Sequence, residues 1–80
     1  MNSKQLDAAL ATLLAANGVS TLAPGKRYEG NVGPLFVQVY GDSPVAASYV
    51  RVVDEAAGAV YQAQISRKTG KAGKVGSSRL

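Results

Sequence analysis

The chain has 80 residues and carries nine Lys or Arg against five Asp or Glu, a formal net charge of +4 at pH 7. It contains no Cys, no His and no Trp, and so it lacks the thiolate and imidazole groups on which redox dithiols, most zinc sites and nucleophile–histidine pairs depend. We therefore predict a single domain that is not an enzyme, with no catalytic residue, no metal site, no cofactor and no small-molecule substrate.

The first predicted element is a helix from Ser3 to about Asn17. Its leucines recur at helical spacing and form one apolar stripe: Leu6, Leu10, Leu13 and Leu14. Five of its other eleven residues are alanines, which favour a helix intrinsically. Ser3 or Asn2 can cap the first turn, and Asn17-Gly18 is typical of a helix end because glycine readily adopts the left-handed conformation.

Three strands are predicted beyond a turn-rich segment that spans residues 18–34. They cover residues 35–40, 45–53 and 59–67, where apolar and polar residues alternate. The segments between them are rich in turn residues, which accounts for the acidic side chains there: Asp42, Asp54 and Glu55. A short edge strand around residues 26–30 is a fourth candidate.

Short connections between successive strands favour an antiparallel meander, and the leucine stripe needs an apolar sheet face to pack on. The predicted fold is therefore α+β, an N-terminal helix packed on a three- or four-stranded antiparallel β-meander, with a basic C-terminal tail. Residues 1–67 are the predicted domain and residues 68–80 the predicted tail. The predicted core residues are Leu6, Leu10, Leu13, Leu14, Leu35, Val37, Val39, Val50, Val52, Tyr61 and Ile65.

The tail is distinguished by its charge and by its composition. Residues 1–66 carry four basic and five acidic side chains, whereas residues 67–80 carry five basic side chains and no acidic one. The tail is rich in Gly, Ser and Lys, a composition that buries too little apolar surface to offset the entropy of ordering, so we expect it to be mobile. Its basic residues, together with Arg67 at the end of the domain, are candidates for binding nucleic-acid phosphates or an acidic partner: Arg67, Lys68, Lys71, Lys74 and Arg79.

The glycines of the tail approach two known phosphate-binding loops without matching either. Gly70-Lys71-Ala72-Gly73 has the form of the GXXG loop of KH domains, but that loop joins two helices and this stretch follows a strand. The P-loop pattern fails because Val75 follows Lys74 where Ser or Thr is needed. We therefore interpret the tail as a cationic arm rather than as a defined phosphate loop.

A row of side chains on the first strong strand is the second candidate site. Phe36, Gln38 and Tyr40 alternate with the predicted core residues and so lie on the sheet face away from the helix. Such a row can stack bases, as on an RRM sheet. The chain is too short for the β-α-β-β-α-β order of that fold, however, and exposed apolar rows mark protein interfaces more generally. We favour a protein interface.

Two functions remain open. The first is a small protein-interaction or assembly protein, such as a phage virion component or an inhibitor of a host protein, which uses its sheet surface and the basic arm. The alternative is a nucleic-acid-binding module that contacts phosphates through the tail. The nearly neutral body favours the first.

The sequence also carries an expectation about location. The first residues lack the basic and apolar regions of a signal peptide, and no run approaches the roughly 20 apolar residues of a membrane span. We therefore expect no membrane partner and a cytoplasmic location, in the host cytoplasm or the virion if the protein is viral.

Overall fold

The computed structural model describes every residue from Met1 to Leu80 as one helix and five strands. The elements are α1 (Ser3–Ala16), β1 (Arg27–Val32), β2 (Leu35–Tyr40), β3 (Tyr49–Asp54), β4 (Ala59–Gln64) and β5 (Gly76–Arg79). The strands form one antiparallel sheet in the order β1-β2-β3-β4-β5, and α1 packs on one of its faces. The predicted α+β fold is confirmed, with five strands instead of three or four.

The helix begins and ends close to the predicted residues. Asn2 is the N-cap: its side chain accepts a hydrogen bond from the Gln5 amide at 2.9 Å, and the Gln5 side chain accepts one from the Asn2 amide at 2.9 Å. This reciprocal capping box satisfies two of the free donors of the first turn. Gly18 follows the C-cap with φ of 74°, a conformation that glycine adopts without strain.

The core lies between α1 and the facing side of β2, β3 and β4. Nine of the eleven predicted core residues are buried, while Leu35 and Tyr61 are half-buried at its margin. Ala9 and Ala63 are buried as well. The helix approaches the sheet closely: a Cβ on Gly30 of β1 would lie 3.3 Å from Cδ1 of Leu13. Small residues at these positions therefore allow the leucine stripe to reach the sheet.

Two strands are shorter in the structure than the sequence pattern predicts. Residues 45–48 belong to a loop between β2 and β3, because the amide and hydroxyl of Ser48 bond to the Asp42 carboxylate, each at 2.7 Å. The strand predicted over residues 59–67 ends at Gln64, after which Ile65 forms an isolated bridge with Ala72. The candidate edge strand is present as β1.

The C-terminal residues are not a mobile tail. A turn at residues 66–70, closed by the Gly70 amide bonding to the Ser66 carbonyl at 2.8 Å, reverses the chain. Residues 76–79 then add to β4 as an antiparallel edge strand, with Tyr61 opposite Ser77. Every residue of β5 is exposed. Main-chain hydrogen bonds hold β5, and because Gly and Ser form them without burying a side chain, composition does not indicate this strand.

The first two turns of α1 also hold this segment. The Asp7 Oδ1 atom accepts a hydrogen bond from the Ala72 amide at 2.6 Å, and the Ser3 hydroxyl donates one to the Gly73 carbonyl at 2.6 Å. The two hydrogen bonds join residues that are 65 and 70 positions apart in the sequence. The helix therefore anchors the chain that leads into β5.

Replacing Asp7 with alanine should lower the free energy of unfolding by about 1 kcal/mol, because the Ala72 amide loses its acceptor. Hydrogen exchange of that amide should become faster. The matched control is Asp7→Asn, which retains the acceptor oxygen and should keep most of the protection. Equal exchange at Ala72 in the wild type and in Asp7→Ala would contradict this role.

Candidate functional site

The sheet face opposite α1, here called the outer face, is not covered by any other element of the chain. Its side chains form three rows that run across the strands. The first row is Arg27, Tyr40, Tyr49 and Gln64. The second row is Glu29, Gln38, Arg51 and Gln62. The third row is Asn31, Phe36, Val53 and Val60.

The first row is an aromatic stack capped by a cation. The rings of Tyr40 and Tyr49 have centroids 4.7 Å apart and planes inclined by 19°. This separation equals the spacing of neighbouring strands, so the rings stack across the strands and present their edges to solvent. The Arg27 guanidinium lies over the Tyr40 ring, 5.9 Å from its centroid. The aromatic faces of this row are therefore largely used within the chain.

The second row is a relay of hydrogen bonds that positions an arginine. Arg51 Nη1 donates to Gln38 Oε1 at 2.7 Å, and Gln38 Nε2 donates to Glu29 Oε2 at 3.1 Å. Arg51 is half-buried and no carboxylate lies within ion-pair distance of it, the one ion pair of the structure being Arg67–Asp42. Most of the Arg51 donors therefore remain available near the middle of the outer face.

The third row is apolar apart from the exposed Asn31 at its end. Phe36 and Val53 are half-buried, and Val60 is only 7% exposed although it points away from the helix and lies outside the main core. The outer face thus combines an apolar row, an arginine and two tyrosines.

The structure places the sequence-predicted residues Phe36, Gln38 and Tyr40 side by side on this face, each half-buried and each in a different row. The row predicted as a protein interface did not include Arg27, Tyr49 and Arg51. The alternation of β3 puts Tyr49 and Arg51 opposite the buried valines and so indicates their face, but only the strand register brings them beside Tyr40 and Gln38.

The five basic residues of the C-terminal segment are spread over the turn at residues 66–70, the connecting residues 71–75 and the edge strand β5. Lys68, Lys71 and Lys74 are exposed and take part in no ion pair. Arg67 bonds through Nε to Asp42 Oδ2 at 2.8 Å, and Arg79 lies opposite Ala59 at the sheet edge. These side chains are thus attached to the folded body, and their expected presentation on a flexible arm is wrong.

Asp42 joins three segments of the chain. Its Oδ1 atom accepts the two hydrogen bonds from Ser48, and its Oδ2 atom contacts Arg67. The hydrogen bond from the Ser48 hydroxyl, then the bond from the Ser48 amide and the charge of Arg67, lower the pKa of Asp42 below its ordinary value of 3.8. The carboxylate therefore stays ionised at neutral pH and ties the β2–β3 loop to the turn after β4.

The lowered pKa of Asp42 predicts a pH dependence. A carboxyl with a lower pKa in the folded state contributes stability above its unfolded pKa, and that contribution disappears as the pH falls through the folded value. The difference in unfolding free energy between wild type and Asp42→Asn should therefore be constant above about pH 5 and shrink below pH 3.8. Urea unfolding at a series of pH values measures it. A difference that stays constant down to pH 2 would contradict the assignment.

These features define the chain as a two-layer α+β protein, one helix on a five-stranded meander with an uncovered outer face. Comparison with models of known families gives no match, and comparisons with characterised proteins and with solved structures give no significant match either. The single helix is neither long nor apolar enough to cross a membrane. The outer face and the C-terminal basic residues are therefore the features that bear on function.

Proposed function

We propose that the chain is a non-enzymatic protein-interaction module that binds a carboxylate-bearing protein partner through its outer face. The observation that carries this proposal is the row of Arg27, Tyr40 and Tyr49 next to Arg51. Arg51 forms no ion pair within the chain. Tyrosine and arginine are the residues on which binding energy concentrates at protein interfaces.

The geometry of Tyr40 argues against base stacking on its ring. A base needs an open aromatic face to stack on. The two faces of the Tyr40 ring are opposed by Tyr49 and by the Arg27 guanidinium. The rings instead present their edges and hydroxyl groups, which suit hydrogen bonds and edge contacts with a protein surface.

Arg51 specifies the chemistry of the partner. Its side chain is oriented by Gln38 and lies between the tyrosine row and the apolar row of Phe36 and Val53. A partner carboxylate that lands here gains a charge-assisted, bidentate contact in surroundings partly shielded from water. The partner therefore presents an Asp or Glu flanked by apolar side chains. Glu29 of a second copy would supply the carboxylate.

The experiment compares two arginine variants with the same change of charge. Arg51→Gln alters the outer face, whereas Arg79→Gln alters the exposed edge strand. The wild type and both variants are used as bait in nuclease-treated extract of the source cells, and the affinity of the captured protein is then measured by titration calorimetry. Sedimentation of the chain alone tests for a second copy as partner.

Arg51→Gln and Tyr40→Ala should each weaken binding about 30-fold, the effect of losing an interface residue worth roughly 2 kcal/mol. Arg79→Gln should bind as the wild type does. Val45→Ala is the second control, because Val45 is 94% exposed on the β2–β3 loop, outside the outer face. Outer-face variants that bind like the wild type would overturn the proposal.

Nucleic-acid binding is the second candidate, and the exposed, unpaired cluster of Lys68, Lys71 and Lys74 favours it. The sharper test is triple substitution of these lysines by glutamine, because truncation after Ser66 would also remove β5. In fluorescence anisotropy with a single-stranded oligonucleotide, the substitution should reduce the slope of log K against log salt by about 2, since each phosphate contact on a single strand contributes about 0.7. An unchanged slope would contradict phosphate binding by this cluster.

A further inference from the structure

A groove of about 560 Å³ opens on the helix side of the sheet, between the end of α1 and the turn at residues 66–70. Its apolar lining comes from four side chains: Leu10, Leu14, Leu22 and Ile65. Leu10, Leu14 and Ile65 belong to the core, so this part of the wall is firmly packed. The volume falls within the range of small-molecule sites, roughly 300–1,000 Å³.

Three charged residues line the groove, and one of them lacks a partner. Asp42 is engaged by two hydrogen bonds from Ser48 and by the ion pair with Arg67. Lys68, which also lines the groove, lies within ion-pair distance of no carboxylate. The groove therefore has a net charge of +1, and the uncompensated charge is the Lys68 ammonium group.

Three residues that follow α1 line the same groove. The amides of Ser20, Thr21 and Leu22 have no hydrogen-bond acceptor within the protein. Unbonded amides and a free ammonium group among the residues that line one groove favour an anionic ligand over a neutral or cationic one.

We propose that this groove binds a small amphipathic carboxylic acid, with its apolar chain against Leu14, Leu22 and Ile65 and its carboxylate at Lys68. No bond is made or broken. The site lies on the helix side of the sheet, so the proposal is independent of partner binding by the outer face.

The test uses decanoate and its neutral counterpart 1-decanol as probes, each below its aggregation concentration. Both are titrated into the ¹⁵N-labelled full-length chain, and amide shifts are followed by NMR. The variants are Lys68→Gln and, as a charge-matched control on an exposed lysine outside the groove, Lys71→Gln. Leu22→Ala reduces the apolar wall at a half-buried position, where folding should survive.

Decanoate should shift the amides of residues 20–22 and 66–70, and should bind about fivefold more tightly than decanol. Lys68→Gln should remove that preference while Lys71→Gln keeps it, and Leu22→Ala should weaken both probes. Equal affinities for the two probes, an equal loss in both lysine variants, or shifts scattered over the surface would each overturn the proposal.

Discussion

Replacing Gly41 with alanine is expected to lower the free energy of unfolding by about 3 kcal/mol, the upper part of the range for forcing an extra carbon into a packed site. A Cβ at this position would overlap the carbonyl oxygen of Ala23 and lie 3.0 Å from that of Lys26. The obstacles are main-chain atoms, so no side-chain rotation relieves them. The Gly41 amide also bonds to the Lys26 carbonyl at 2.7 Å.

The consequence of the Gly41 substitution should reach the groove. Gly41 precedes Asp42, and the chain it would displace leads through Ala23 to Pro24, which lines the groove. Urea unfolding followed by circular dichroism measures the stability. Gly73→Ala is the control, because a Cβ there meets only the Gln64 carbonyl oxygen at 3.6 Å and φ is not positive. It should change stability by less than about 0.5 kcal/mol, and equal stability of the two variants would contradict the close approach at Gly41.

Replacing Leu6 with alanine should cost about 3 kcal/mol or more. Leu6 is 0% exposed and packs in the main core, so truncation removes buried methyl groups and leaves a cavity that a small domain closes only in part. A domain of 80 residues has few kcal/mol to lose, so much of the population should unfold at moderate urea concentrations.

Two leucine variants separate the cavity effect from a general effect of substitution. Leu6→Met conserves volume and should cost less than about 1.5 kcal/mol. Leu80→Ala removes a side chain that is 64% exposed and should be nearly neutral. Calorimetry measures the melting temperatures of the three variants. Equal melting temperatures for Leu6→Ala and Leu80→Ala would contradict the position of Leu6 in the core.

Some elements of the fold are predictable because their signals are local. The leucine spacing of α1 and its capping residues lie within one short segment, and the bounds in the structure, Ser3–Ala16, agree with the prediction to one residue. The alternation of β2 likewise separates Val37 and Val39, both buried, from Phe36 and Tyr40 on the outer face. Periodicity of two residues is sufficient for this assignment.

The sequence patterns of β5 and of the loop between β2 and β3 predict the wrong structure, and the physical reason is the same for both. The exposed β5 is held by main-chain bonds, which any residue except proline can donate, so its Gly-Ser-Ser-Arg sequence does not distinguish it from a tail. Residues 45–48 have a pattern that predicts a strand, but two hydrogen bonds from Ser48 to Asp42 hold them in a loop. A distant or competing partner outweighs local propensity in both cases.

From sequence, composition excludes thiol and histidine chemistry, periodicity predicts the helix and the outward face of Phe36, Gln38 and Tyr40, and the distribution of Lys and Arg places the excess positive charge after residue 66. These properties are local or additive. Pairing is neither: the contact of Arg51 with Gln38, the stack of Tyr40 on Tyr49 and the ion pair of Arg67 with Asp42 depend on strand register and chain reversal. Register is set by turn geometry and by the face that each strand buries, and these act only when the strands meet in the folded chain.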